Sequence, residues 1–220
     1  MKYAYYISGH SGRLTKYLRG CSANEKSIIK VVVSDEKITD GMREILNDNS
    51  IEMIEWDRKK LMGTNQDRNL NFSNMLCDVL IKYNVDYCFS FGSHILCGRL
   101  LTEYRNRIIN FHPSVLPMYK GMKAIDQAVS HGNTFLLGNT AHFIDEGVDT
   151  GKIIMQSVIP TKVFTESGDY DSVLDLQIDM LKQLIYVIEN DMLIVNDESV
   201  EIKDAEYTVS NIYPHISISN

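Results

Sequence analysis

The segment that decides the fold is Tyr3-Ala4-Tyr5-Tyr6-Ile7-Ser8-Gly9-His10-Ser11-Gly12. Its first part is an apolar run, typical of a strand buried on both faces, and the run ends in a Gly-rich turn. A helix is predicted directly after the turn, over 14–18. A β-branched block at 28–33 then predicts the next buried strand. This order of strand, turn, helix and strand is typical of a parallel sheet.

The alternation of strands and helices continues along the first half of the chain. Further strands are predicted at 51–54, 85–91, 107–111, 139–144 and 153–159, and helices from Asp40 to Asn47, from Asn71 or Ser73 onward, and over 170–188. The last two strands are joined by a polar bend rather than by a helix, and 57–66 is predicted as a loop. We therefore expect an α/β fold with a mostly parallel sheet, one main domain over 1–190, and a small C-terminal extension over 191–220 that forms a hairpin or tail.

The composition is that of a soluble globular protein. The chain has 220 residues, 44% of them hydrophobic, and a net charge of −7. An acidic chain argues against a nucleic-acid partner, since phosphate neutralisation needs a basic face. The N-terminus does not resemble a signal peptide, and no apolar run approaches the roughly 20 residues that span a bilayer. Four cysteines without metal-ligand spacing indicate reduced thiols in a cytoplasmic protein: Cys21, Cys77, Cys88 and Cys97.

Chemistry is expected at the carboxyl ends of the strands, where open parallel sheets bind their ligands. The strand at 107–111 is soon followed by Pro113, and Asn110 and His112, two residues apart, can point to the same side of it. The bend 145–151 carries Asp149, which can reach His112 only through tertiary folding. Taken singly, His112 is also compatible with a structural role, and Asp149 with a turn-forming one.

Two blocks of sequence together are far more specific than these single residues. The first is Asn110-Phe111-His112-Pro113-Ser114-Val115-Leu116-Pro117, followed by Tyr119-Lys120-Gly121. The second is Gly138-Asn139-Thr140-Ala141-His142-Phe143-Ile144-Asp145-Glu146-Gly147-Val148-Asp149-Thr150-Gly151, with Gln156 shortly after it. In this order and separation they resemble the signature of the folate-dependent formyltransferases, most strongly over roughly 85–160. The resemblance implies a Rossmann-like core, a formyltransferase catalytic domain over 1–190, and 10-formyltetrahydrofolate as the formyl donor.

The resemblance also carries the family's catalytic residues over to Asn110, His112 and Asp149. When an amine attacks a formyl carbon, negative charge builds on the formyl oxygen. Asn110 would donate an amide N–H to that oxygen, and His112 would donate or shuttle a proton to it. Asp149 would orient the imidazole, stabilise its cationic form and help to accept the amine proton. This chemistry needs no metal and no covalent intermediate.

The same resemblance suggests binding residues on two sides of these three. The folate would be held, partly through backbone hydrogen bonds, by one set of positions: Phe91, Gly92, His94, Leu96, Asp145 and Gly147. The formyl acceptor would be held by another set: Ser8, Gly9, His10, Arg13, Ser114 and Lys120.

The acceptor expected from the sequence is a nucleotide-linked amino sugar, a dTDP-3- or dTDP-4-amino-dideoxyhexose of lipopolysaccharide O-antigen synthesis. The second block and Lys120 resemble the sugar N-formyltransferases more than the purine enzyme. Glycinamide ribonucleotide formyltransferase is the main alternative, because its size matches and Ile7-Ser8-Gly9 is shared. Its phosphate-holding Ser-Asn pair is replaced here by Gly12-Arg13, although a helix N-terminus with these residues can still meet a phosphate.

Other members of the family are disfavoured. A tRNA acceptor would require a large C-terminal RNA-binding domain, and a formyltetrahydrofolate hydrolase an extra domain before the core. A folate- or nucleotide-binding module without catalysis is a further alternative, which the intact Asn110, His112 and Asp149 argue against. By resemblance to the sugar enzymes we expect a homodimer that binds a sugar nucleotide and folate, with no nucleic-acid or membrane partner.

Overall fold

The computed structural model describes residues 1–9, 11–207 and 212–214. The chain forms two compact units. The first comprises Met1–Ile109 and Ile144–Glu146, and the second comprises Asn110–Phe143 and Gly147–Asn220. The division into a catalytic domain over 1–190 and an extension over 191–220 stays a prediction.

The first unit contains a parallel sheet. Its strands are β1 (Tyr3–Ile7), β2 (Ile29–Ser34), β3 (Glu52–Glu55) and β4 (Tyr87–Phe91). β1 pairs with β2 on one side and with β4 on the other, and β3 pairs with β2, all in parallel. Every residue of β1 is fully buried, as its apolar sequence predicts. The predicted α/β class with a parallel sheet is confirmed.

Helices lie between and after these strands in the chain. They are α1 (Gly12–Gly20), α2 (Ala23–Ser27), α3 (Asp40–Asp48), α4 (Asn65–Lys82) and α5 (Arg99–Glu103), with a 3-10 turn at Arg58–Lys60. α4 packs the apolar face formed by Phe72, Leu76 and Leu80 into the core of this unit. The predicted start of α4 at Asn71 or Ser73 is wrong. Thr64 and Asp67 form a reciprocal capping box, so the helix begins within the segment predicted as a loop.

The strands of the second unit are mainly antiparallel. β5 (Ile108–His112) begins in the first unit and ends in the second, and is followed by β6 (Leu136–Phe143) and β7 (Ile153–Pro160). β8 (Leu193–Val195) and β9 (Val200–Ile202) form a hairpin, and β10 (Ile212–Tyr213) pairs antiparallel with β7. β6 and β7 are antiparallel, and a bend without a helix joins them; the bend is as predicted.

The second unit also contains four helices in its described part: α6 (Ala124–Ser130), α7 (Thr161–Ser167), α8 (Asp171–Leu174) and α9 (Leu176–Glu189). The single helix predicted over 170–188 is therefore divided in two. Buried Asn139 of β6 anchors this region, since its amide donates to Val173 O (2.8 Å) and its Oδ1 accepts from Gln177 (2.7 Å). Among the described residues, no helix is long and apolar enough to cross a bilayer.

Candidate active site

The three residues predicted to be catalytic converge within the second unit. Asn110 and His112 lie two residues apart on β5, which ends at His112. Asp149 lies in the bend between β6 and β7, and its Oδ2 is 3.3 Å from Nδ1 of His112. His112 is 5% exposed, so this contact lies away from bulk solvent and is weakly screened.

The His112 ring lies between two hydrogen-bond acceptors. Its Nε2 is 2.9 Å from the carbonyl oxygen of Tyr119, while Nδ1 faces the Asp149 carboxylate. A carbonyl oxygen only accepts, so Nε2 carries a proton in this arrangement. Both contacts are favourable together only when the ring is doubly protonated. This geometry suits a group that holds a proton for a developing oxyanion.

Asp149 is held in place by the backbone and by two histidines. The Gly121 amide donates to its Oδ2 at 2.8 Å, and Nε2 of His142 is 3.6 Å from its Oδ1. Its backbone has a φ of 51°, a left-handed conformation that Asp tolerates better than most residues. Burial raises the pKa of Asp149, but the contacts with His142, Gly121 and His112 outweigh it and hold the pKa below its usual value. Asp149 is therefore an anion at neutral pH.

His142 is a member of this cluster that the sequence analysis did not single out. Its Nδ1 lies 2.8 Å from the carbonyl oxygen of Phe143 and must donate to it. Its Nε2 then accepts from the Asn110 amide in the neutral ring, or donates to Asp149 in the protonated ring. Nδ2 of Asn110 is 3.2 Å from that nitrogen, so the contact orients the Asn110 amide. The signal that would have found His142 is its place near the end of β6, directly before the bend that carries Asp149.

The loop after β5 is fixed by a second set of hydrogen bonds. Thr140 Oγ1 donates to Ser114 O (2.7 Å) and accepts from the Leu116 amide (3.0 Å), and Gln156 donates to Leu116 O (3.0 Å). The Ser114 hydroxyl is buried and donates to Met118 O at 2.6 Å. Ser114, predicted to bind the acceptor, thus has a partner inside its own loop, whereas Lys120 in the same loop is exposed.

Most of the predicted folate-binding positions lie in the first unit. Phe91 ends β4 and is buried under the guanidinium of Arg13, at 4.9 Å from the ring centroid. A Cβ on Gly92 would lie 2.1 Å from the Tyr6 ring, so only glycine fits there. Leu96 is 3% exposed and its side chain packs in the hydrophobic core of this unit, and the folate-binding role of these positions stays a prediction.

The other residues predicted to bind the folate or the acceptor differ in exposure, and one of them lies outside the described residues. Asp145 is exposed in the first unit, and Gly147 is exposed in the second. Gly9 has a φ of 56°, and its amide donates to Ser34 Oγ at 3.0 Å. His10 lies outside the described residues. Ser8 and His94 both contact the buried carboxylate of Asp35.

The cluster in the second unit can perform polar group transfer with its own side chains. It offers an amide donor, an imidazole between two acceptors and a buried carboxylate. Within the described part of the chain, no three or more His, Cys, Asp or Glu side chains are grouped so as to hold a metal ion. The arrangement fits stabilisation of an oxyanion next to a site of proton transfer.

Comparison with known proteins identifies similar purine-synthesis proteins. The chain is 40% identical over 90 residues to the trifunctional purine biosynthetic protein adenosine-3 of Chironomus tentans, a match covering 40% of this chain and 6% of that protein. Glycinamide ribonucleotide transformylase 1 of Symbiobacterium toebii is 29% identical, with a TM-score of 0.74 over 93% of this chain and 94% of its own. Phosphoribosylglycinamide formyltransferase of Anaplasma phagocytophilum is 25% identical, with a TM-score of 0.77; the match covers 95% of this chain and 97% of that protein's chain.

These similarities correct the predicted acceptor. The similar proteins are named for purine synthesis and glycinamide ribonucleotide, so the expectation of a dTDP-linked amino sugar and O-antigen synthesis is wrong. The exchange of the Ser-Asn pair for Gly12-Arg13 does not exclude a phosphate-bearing acceptor, because a helix N-terminus can bind anions through its backbone.

A family model described as formyl transferase matches residues 1–183. The match confirms the prediction of a folate-dependent formyltransferase, a family whose formyl donor is 10-formyltetrahydrofolate. The chain belongs to the formyl transferase family.

Proposed function

We propose that this protein transfers a formyl group from 10-formyltetrahydrofolate to the amine of glycinamide ribonucleotide. The observation that carries the proposal is the contact between His112 and Asp149, 3.3 Å apart, next to Asn110 in a chain of this family. The choice of acceptor is supported by the similarity to glycinamide ribonucleotide transformylase 1, which extends over 93% of this chain.

The reaction is an acyl transfer between two nitrogens. The acceptor amine attacks the formyl carbon, and the carbonyl π electrons move onto oxygen. In our proposal Asn110 donates to this oxyanion and His112 donates a second hydrogen bond or a proton. Asp149 accepts the proton that the attacking amine loses, directly or through His112. The bond from carbon to N10 of the folate then breaks, the proton taken from the amine passes from the Asp149–His112 pair to N10, and the formamide and tetrahydrofolate leave.

His112 must exchange a partner to act in this way. Its Nε2 donates to the Tyr119 carbonyl and its Nδ1 faces Asp149, so one of the two has to yield to the substrate oxygen. Tyr119 is the partner we expect to yield, because it lies in a loop and has a φ of 51°. Asp149 can then continue to compensate the imidazolium.

The phosphate of the acceptor is proposed to bind at the N-terminus of α1. Helix N-termini carry a partial positive charge and suit anions. α1 begins at Gly12, after the turn at Gly9, and Arg13 is at its start. A dimeric state, a cytoplasmic location and the binding roles of Ser8, Gly9, His10, Arg13, Ser114 and Lys120 stay predictions.

A turnover assay with 10-formyltetrahydrofolate and glycinamide ribonucleotide tests the proposal, with formation of tetrahydrofolate and of the formylated ribonucleotide both measured. We expect wild-type turnover and a loss of at least about 10²-fold in the His112→Ala variant. Release of tetrahydrofolate without a formylated product would indicate hydrolysis, and equal turnover by wild type and variant would contradict the catalytic role of His112.

A further inference from the structure

One ring nitrogen of His142 lies between two groups that make opposite demands on it. Nε2 is 3.2 Å from Nδ2 of Asn110 and 3.6 Å from Oδ1 of Asp149. An amide nitrogen donates and a carboxylate oxygen accepts. Nε2 therefore satisfies Asn110 when it carries no proton and Asp149 when it carries one, and it cannot satisfy both at once.

The other ring nitrogen holds His142 in place in both states. Nδ1 lies 2.8 Å from the carbonyl oxygen of Phe143 and donates to it whether the ring is neutral or charged. His142 is 2% exposed on β6, and its neighbour across the strand pair is the apolar Ile153 of β7. Uptake of a proton at Nε2 therefore acts on the hydrogen bonds of a ring whose position is fixed.

The ionisable groups that contact this ring or its partner are Asp149 in the bend and, on the other oxygen of that carboxylate, His112 of β5. His112 Nδ1 and the Gly121 amide face Oδ2 of Asp149 at 3.3 and 2.8 Å, whereas His142 faces Oδ1. The two histidines thus share one negative charge. A proton on His142 consequently disfavours a second proton on His112, since like charges so close repel each other.

Protonation of His142 opposes the proposed transfer step in two ways. Nε2–H and Nδ2 of Asn110 would be two donors 3.2 Å apart, so the Asn110 amide has to turn, and the orientation that the mechanism requires is lost. The positive charge next to Asp149 also makes this carboxylate a weaker acceptor for the amine proton. Only the neutral ring is compatible with both roles.

We propose that His142 is a positioning residue whose charge state controls the Asn110 amide. The neutral ring orients the amide for the formyl oxygen, and the protonated ring releases it and pairs with Asp149. The inference rests on the proposed function for the oxyanion that Asn110 meets. It assigns a loss of turnover on the acidic side of the pH profile to His142, in addition to the proton-transferring pair of His112 and Asp149.

The first test follows the wild-type protein without substrate, so that it does not depend on the stability of variants. The ¹⁵N shifts of His142 report protonation of Nε2 as the pH is lowered, and the side-chain amide signals of Asn110 should move with the same midpoint. The amide of Asn133, which is exposed in the same unit, is the control and should not follow that midpoint. Asn110 signals that stay constant while His142 gains a proton would overturn the inference, as would an Nε2 that stays unprotonated until the protein unfolds in acid.

The second test separates the acceptor at Nε2 from the anchor at Nδ1 with two substitutions. Glutamine offers an oxygen near the place of Nε2 that accepts but does not titrate, whereas asparagine keeps a donor for the Phe143 carbonyl and removes the acceptor. The readout is kcat and KM for formyl transfer to glycinamide ribonucleotide from about pH 5 to about pH 9.

His142→Asn should lower kcat by about 10- to 100-fold with little change in KM, as misplacement of a transition-state donor does. His142→Gln should retain more turnover than His142→Asn, and its loss of turnover in acid should begin at a lower pH than in wild type. Equal losses in the two variants, or an unchanged acid side of the profile in His142→Gln, would contradict the role of His142. Coupled signals of His142 and Asn110 without any turnover of glycinamide ribonucleotide would instead sustain it and contradict the proposed acceptor.

Discussion

At the scale of single residues, backbone carbonyl oxygens, which can only accept hydrogen bonds, determine which histidine nitrogens in the candidate active site carry a proton. The carbonyl oxygens of Tyr119 and Phe143 set the protonated nitrogens of His112 and His142. In its neutral form His142 presents an acceptor to Asn110, and the second N–H of the Asn110 amide is then the one that the proposed mechanism assigns to the substrate oxygen. In the proposed mechanism, two backbone carbonyls thus orient a hydrogen-bond donor and a proton carrier for the same oxyanion.

Replacement of Asn110 by alanine removes one oxyanion donor. We expect turnover to fall by about 10²–10³-fold with a much smaller change in KM, because the lost interaction is strongest in the transition state. Steady-state kinetics at saturating 10-formyltetrahydrofolate measure this. Asn133→Ala is the control, since Asn133 is exposed in the same unit. An Asn110→Ala enzyme with wild-type turnover would remove Asn110 from the mechanism.

The lowered pKa of Asp149 predicts how stability depends on pH. The pKa of Asp149 is lower in the folded protein than in the unfolded chain, where it is about 3.9. Its carboxylate therefore stabilises the folded state above about pH 3.9, and this stabilisation is lost as the pH falls through the folded-state pKa. The difference in unfolding free energy between wild type and Asp149→Asn, measured with urea, should therefore be full at about pH 6 and shrink as the pH falls below about 3.9. A difference that is constant across this range would show that the carboxylate charge does not matter.

At the scale of elements, the close approach of β6 and β7 depends on glycine. A Cβ at Gly138 would lie 2.0 Å from the carbonyl oxygen of Ser157, its neighbour across the strand pair. The backbone would have to shift to accept it, and the shift would reach Asn139 and Thr140, which anchor α8 and the loop after β5.

Gly138→Ala should destabilise the protein by about 2 kcal/mol or more, as overpacking of a rigid site does. Gly41→Ala is the matched control. Gly41 lies in α3, where a Cβ would meet nothing within 4 Å, so alanine should stabilise the folded protein by about 0.5–1 kcal/mol. The melting temperatures of wild type, Gly138→Ala and Gly41→Ala test both expectations. Equal melting temperatures would contradict this account of Gly138.

The N-terminus of α1 is held by a side-chain cap. Ser11 is 4% exposed, and its hydroxyl accepts from the Leu14 amide at 3.3 Å. Ser11→Ala should therefore cost about 1 kcal/mol, or roughly 2–4 °C in melting temperature for a protein of this size. Ser11→Asp should recover most of this loss, since Asp also caps, and failure of that rescue would point to a role of Ser11 other than capping.

At the scale of the whole molecule, the described ranges 1–9, 11–207 and 212–214 contain no group of three or more His, Cys, Asp or Glu side chains placed to hold a metal ion. Treatment with EDTA should therefore leave both the melting temperature and formyl transfer unchanged. A loss of activity that zinc or magnesium restores would contradict this expectation and would require ligands outside those ranges.

The agreement between sequence and structure differs from one element to the next. β1 and β2 lie within a residue or so of their predicted bounds, because apolar and β-branched runs bury both faces of a strand. α5, α6 and α7 were not predicted, as their five to seven residues are too few for a periodic pattern. α4 begins earlier than predicted, because the Thr64–Asp67 capping box starts the helix in a polar segment that carries no apolar periodicity.

The sequence by itself determined the parallel α/β core, the formyl transferase family and the placement of Asn110 and His112 on one strand, because strand alternation and motif order are local properties of the chain. Only the tertiary structure decided that Asp149 and His142 join them, and that Asp35 lies behind His94. Those contacts join residues that are 32 to 59 positions apart in the sequence, and they are set by how strands pair and how the bends between them return. A buried charge and its donors are recognisable only once folding has removed them from water.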